Sequence, residues 1–163
     1  MPMKDSARVT IRIAESPADI AQARDLFKEY GASLGFPLCF QNFEEELATL
    51  PGKYALPAGR LLLAFVDGAP VGCGALRPFD QQACEMKRLY VRPECKGQGI
   101  GRQLAERLIA EAKLIGYARM RLDTIPAQMM EANRLYLALG FHEIPPYYNN
   151  PQPGTRYMEL PLE

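Results

Sequence analysis

Three strand-like runs follow one another from Arg60 to Val91 with no helical pattern between them, and this succession constrains the fold more than any other feature. "RLLLAFVDGAPVGCGALRPF" is two apolar runs around Asp67-Gly68-Ala69-Pro70, turn residues that read as a hairpin. "ACEMKRLYV" continues the run and ends at Arg92-Pro93, because the residue before a proline is held extended and Pro93 has no N–H for a ladder.

Helical and strand periods alternate around this block. "RVTIRIA" reads as a strand, and Ser16-Pro17 then cap and open a helix that carries Ile20, Ala23, Leu26, Phe27 and Tyr30 at helical spacing. "NFEEELATLPGKY" reads as a second, short helix. Ile100, Leu104, Leu108, Ala112 and Ile115 share one face of a third, which Gly116 stops. The strand "ARMRLDT", the helix "AQMMEANRLYLAL" closed by Gly140, the short strand "FHEI" and the final strand "TRYMELPL" complete the chain. The order predicts a mixed α/β (α+β) sheet, and 163 residues suit one domain over 1–163.

Composition narrows the function classes. Lys and Arg total 19 against 19 Asp and Glu, and a net charge of zero argues against a dedicated nucleic-acid binder. Cys39, Cys73, Cys84 and Cys95 fall at no C-x-x-C spacing and lie far in sequence from the lone His142, so no zinc site is expected. No apolar run reaches membrane-spanning length, and the charged N-terminus does not read as a signal peptide. The expected address is a reducing cytoplasm, with four free thiols.

"VRPECKGQGIGRQL" places three glycines in five residues at a strand-to-helix junction. The first turn of a helix has unpaired N–H groups and the positive end of the dipole, so the stretch is either an anion seat or a plain turn. It lacks the G-K-[ST] of a Walker loop and the third glycine of a dinucleotide fingerprint.

Taken together, "EMKRLYVRPECKGQGIGRQL", the "LD" of the next strand and "ANRLYLALGF" resemble the GNAT superfamily of N-acetyltransferases. Lys96, Gly99 and Gly101 fill the family's R/Q-x-x-G-x-G/A motif. Leu89-Tyr90-Val91 with Pro93 match its strand segment, and Leu135-Tyr136 with Gly140-Phe141 its helix closure. Two departures stand out: Lys96 replaces the usual arginine or glutamine, losing the planar donor fork, and Met129 stands where many members carry an asparagine.

The resemblance implies a central, mostly antiparallel sheet flanked by helices and acetyl-CoA as the acetyl donor. It further implies direct transfer to an amine through a tetrahedral intermediate. The pyrophosphate would sit on Lys96, Gly97, Gln98, Gly99, Ile100, Gly101 and Arg102, and the backbone of Leu89, Tyr90 and Val91 would hold the pantetheine arm, with Asn133 in reach of it. Glu85 is the expected base and Tyr136 the expected acid; Glu85 and Leu89, four residues apart, are expected on one face of the strand. An ion pair of Glu85 with Lys87 or Arg77, and core packing of Tyr136, are the alternatives.

The acceptor pocket would lie in residues 31–54 and 145–155, where Phe36, Phe40, Phe43, Tyr147, Tyr148 and Asn149 supply aromatic and amide surface. The same loops serve equally as a homodimer surface. Arg77, Tyr147 and Tyr148 are the candidate acceptor contacts, and the expected acceptor is a small amine or an amino-acid-like molecule. A non-catalytic acyl-CoA sensor of the same fold and a nucleotide binder of another fold are the competing classes.

Overall fold

The computed structural model describes residues 8–35, 38, 42–126 and 129–162. Phe36, Cys39 and Phe40 lie outside them. Seven strands form one sheet: β1 (Val9–Ile13), β2 (Arg60–Val66), β3 (Ala69–Pro78), β4 (Ala83–Val91), β5 (Arg119–Thr124), β6 (His142–Ile144) and β7 (Arg156–Pro161), in the spatial order β1-β2-β3-β4-β5-β7-β6. Every neighbouring pair is antiparallel except β4 and β5, which run parallel because a helical crossover joins them. Among the described residues four α-helices flank the sheet: α1 (Pro17–Ser33), α2 (Phe43–Thr49), α3 (Ile100–Ile115) and α4 (Met130–Leu139). No helix of the described residues is long and apolar enough to cross a membrane.

The β2–β3 turn is tighter than the four residues expected. Asp67 and Gly68 both take positive φ, the conformation of a two-residue hairpin turn, so Ala69 and Pro70 already belong to β3. Alternation along β2 then divides the interior in two. Leu62 and Ala64 face α3 with Leu104, Leu108 and Ala112, while Leu61, Leu63 and Phe65 face α1 with Ala23, Leu26 and Phe27. Full burial of each leucine contributes about 2 kcal/mol.

The predicted cap of α1 forms: the Ser16 side chain accepts a hydrogen bond from the Asp19 N–H at 3.0 Å, and Pro17 occupies the first turn. Ser16→Ala is expected to cost about 1 kcal/mol and to lower Tm by about 2–4 °C. Thermal melts of the two proteins check this, and an unchanged Tm would remove the cap from the stability of α1.

Candidate active site

β4 and β5 pair only through Ala83–Glu85 and Arg119–Arg121; beyond these residues the strands separate. From Met86 to Val91 the β5-side edge of β4 therefore has no strand partner among the described residues. A cavity of about 610 Å³ opens along this edge, floored by β4, closed at one end by the glycine loop and α3, and walled by Asp123 to Ile125, α4 and the end of α1. A sheet edge inside a cavity is a row of backbone donors and acceptors ready to bind an extended chain.

At the α3 end, Gly97 has φ 82° and Gly99 φ 78°, values at which an L side chain is strained. An added Cβ at either would meet nothing within 4 Å, so conformation rather than crowding selects glycine here. No side chain caps α3, and its first intrahelical bond is Gln103 N–H to Gly99 O at 3.1 Å. The N–H groups of Ile100, Gly101 and Arg102 thus lack helical partners at the positive end of a 16-residue helix. Lys96, Gly97, Gly99, Ile100, Gly101 and Arg102 all line the cavity; Gln98 does not, and is exposed. Arg102 also pairs with Glu106 at 3.2 Å.

The face pattern of β4 differs from strict alternation. Cys73 opposes Tyr90 while Ala75 opposes Lys87, so Arg88 and Leu89 together stand across from Gly74. This is a β-bulge, with Arg88 at φ 61°. One extra residue shifts the parity. Met86, Leu89 and Val91 pack toward α3, whereas Tyr90 packs with the α1 cluster and Arg88 reaches α2. Glu85 and Leu89 consequently lie on opposite faces, contrary to the four-residue expectation. The Arg88 guanidinium, 1% exposed, is held by Glu46 through two bonds of 2.8 and 2.9 Å and lies over the Phe43 ring at 5.0 Å.

Glu85 is buried and does not line the cavity. It accepts from Arg77 Nε at 3.1 Å and from the Tyr147 hydroxyl at 2.7 Å, and stands 3.9 Å from Lys87 Nζ. Lys87, itself buried, lines the cavity with its ammonium 3.8 Å from Asp123. Asp123 lines the cavity too, accepting from the Tyr148 hydroxyl and from Asn150 Nδ2 at 2.9 Å. Burial pushes the Asp123 carboxyl up, but the Lys87 ammonium and the bonds from Tyr148 and Asn150 outweigh it and hold the group below its ordinary value. Burial depresses Lys87 against the pull of Asp123 and Glu85.

Arg77, Tyr147 and Tyr148 thus tie the β6–β7 loop and β3 to two carboxylates and do not themselves line the cavity. Tyr147 packs edge-on against Phe79 and Tyr157, with ring centroids 5.1 and 5.2 Å away. Tyr136 lines the cavity from α4 and packs edge-on against Phe141; burial raises its phenol above the ordinary value, so it keeps its proton at neutral pH. Asn133, one turn away, does not line the cavity, and its buried Oδ1 has no hydrogen-bond partner among the described residues. Sequence reasoning passed over Lys87, Asp123 and Asn150 as contributors to this wall. The "LD" containing Asp123 contributed to the family resemblance without a role of its own, and nothing in its spelling says that β4 and β5 part beside it.

The mostly antiparallel sheet, split between two parallel strands with an uncapped, glycine-led helix at the split, has the arrangement that the sequence resemblance implies. The chain matches the acetyltransferase (GNAT) family over residues 22–141 and belongs to it. An N-acetyltransferase of Schizosaccharomyces pombe is 39% identical, covering 98% of this chain and 99% of its own length. An acetyltransferase of Streptococcus agalactiae superposes with TM-score 0.76 at 24% identity, over 94% of this chain and 98% of that one. One from Salmonella typhimurium, solved with acetyl-CoA, does so with TM-score 0.70 at 25% identity, over 95% and 94%. The protein is an acetyl-CoA-dependent N-acetyltransferase.

Proposed function

We propose that the protein moves the acetyl group of acetyl-CoA onto the primary amine of a small molecule by direct transfer in the β4–β5 split. The observation that carries this reading is the coincidence in one cavity of an unpaired strand edge, an uncapped helix start and a proton-bearing phenol. The residues present fit the co-substrate. The N–H groups from Gly97 to Gly101, with Lys96 and Arg102, would hold a pyrophosphate, and the free edge of Leu89, Tyr90 and Val91 offers the amides a pantetheine arm needs. Acetyl-CoA supplies an acetyl group activated as a thioester.

The chain's own side chains then handle protons. Tyr136 serves as the donor to the departing sulfur. Asp123, a carboxylate of the cavity wall beside Lys87, is our assignment for the group that takes a proton from the amine. Glu85, engaged by Arg77 and Tyr147, reaches the wall only through Lys87 and sets the charge around it.

Coenzyme A at about one hundred times its Kd is expected to stabilise the fold by about 2.7 kcal/mol, read as a rise in melting temperature. Thiol release from acetyl-CoA with a panel of amines tests the chemistry. Absence of any thermal shift at millimolar coenzyme A would contradict the reading at its base, and a shift without thiol release on any amine of the panel would count against a small primary amine as the acceptor.

A further inference from the structure

We infer that the acceptor is an amino acid bound as its zwitterion, its ammonium on Asp123 and its carboxylate on Lys87. The inference rests on the N-acetyltransferase reading above and names the acceptor class. Lys87 and Asp123 carry opposite charges 3.8 Å apart on the wall of the same cavity, on β4 and β5 just past the last paired residues.

Charge balance selects the ligand. Arg77 answers Glu85, Arg88 answers Glu46, and Lys87 answers Asp123, so the described charges at this end of the cavity cancel. A simple ammonium entering such a place leaves one buried positive charge uncompensated, and a simple carboxylate leaves one negative; either is costly in a low-dielectric site. A zwitterion adds no net charge. Its two ends, as close together as the two charges on the wall, satisfy both at once.

The proton count closes. The nitrogen loses two protons as the N–C bond forms and the C–S bond breaks: one passes to an Asp123 carboxylate oxygen and on to solvent, and the other replaces the proton that Tyr136 gives to the thiol sulfur. The Tyr148 and Asn150 bonds to Asp123 Oδ2 leave Oδ1, the oxygen nearer Lys87, as the one turned to the ligand.

The test compares L-amino acids with the amines left by their decarboxylation, for example L-phenylalanine with phenethylamine and L-methionine with 3-(methylthio)propylamine. Wild-type protein is expected to prefer the amino acid by at least about tenfold in kcat/KM. K87M is expected to lose that preference mainly through KM, while its thermal shift with coenzyme A stays as in wild type. Equal or better turnover of the amines, or an undiminished preference in K87M, overturns the inference and leaves the acetyltransferase reading intact. A wild-type protein that coenzyme A does not stabilise overturns the reading beneath it instead. Should K87M fail to fold, the wild-type comparison decides by itself.

Discussion

Tyr136→Phe is expected to lower kcat about a hundredfold while leaving the affinity for coenzyme A within about twofold of wild type. The phenol lines the cavity, keeps its proton because burial raises its pKa, and packs edge-on against Phe141 with ring centroids 5.7 Å apart. Phenylalanine keeps that ring contact and loses only the hydroxyl with its proton. Stability is therefore expected to change little, which separates a chemical role from core packing. Single-turnover thiol release measured beside a coenzyme A titration decides it: wild-type kcat in the variant would return Tyr136 to the core as a packing residue.

Glu46→Ala is expected to destabilise the fold by about 3 kcal/mol, or about 6–12 °C in Tm. The cause lies at the bulge. Arg88 points its guanidinium into the α1 side of the sheet, 1% exposed, and Glu46 on α2 meets it with both carboxylate oxygens. Taking the carboxylate away leaves a buried cation with its neutralising charge removed, a larger penalty than the loss of one surface pair. Denaturant unfolding measures the difference. A loss below about 1 kcal/mol would mean that its other contacts, among them the cation–π contacts to Phe43 and Tyr30, hold the guanidinium without Glu46.

Periodicity made most of the fold legible. The change from helical to strand period at Arg60, the return to helix at Ile100 and the stops at Gly116 and Gly140 all correspond to observed boundaries. The predicted core face of α3 is equally exact in its first four members: Ile100, Leu104, Leu108 and Ala112 are each at most 1% exposed. These signals are local, since one residue's neighbours at two or three and four positions determine them.

The site was less legible because its shape depends on where pairing stops. An arginine at φ 61° has no signature in the letters "MKRLY", as glycine or asparagine would be the ordinary choice there. Without the bulge, Glu85 and Leu89 share a face and Glu85 reads as the base. With it, Glu85 lies on the face opposite Leu89, where Arg77 Nε donates to it at 3.1 Å. The divergence of β4 from β5 is likewise a fact about two distant segments, and it is what turns Asp123 from a strand residue into a wall of the cavity.

The bulge also divides labour along one strand. Its extra residue sets Lys87 and Arg88, adjacent in the chain, on the same layer, while the peptide groups that follow them run along the open edge. On the zwitterion reading proposed above, a change of side chain at Lys87 would alter which acceptor binds while leaving the peptide groups of the open edge in place.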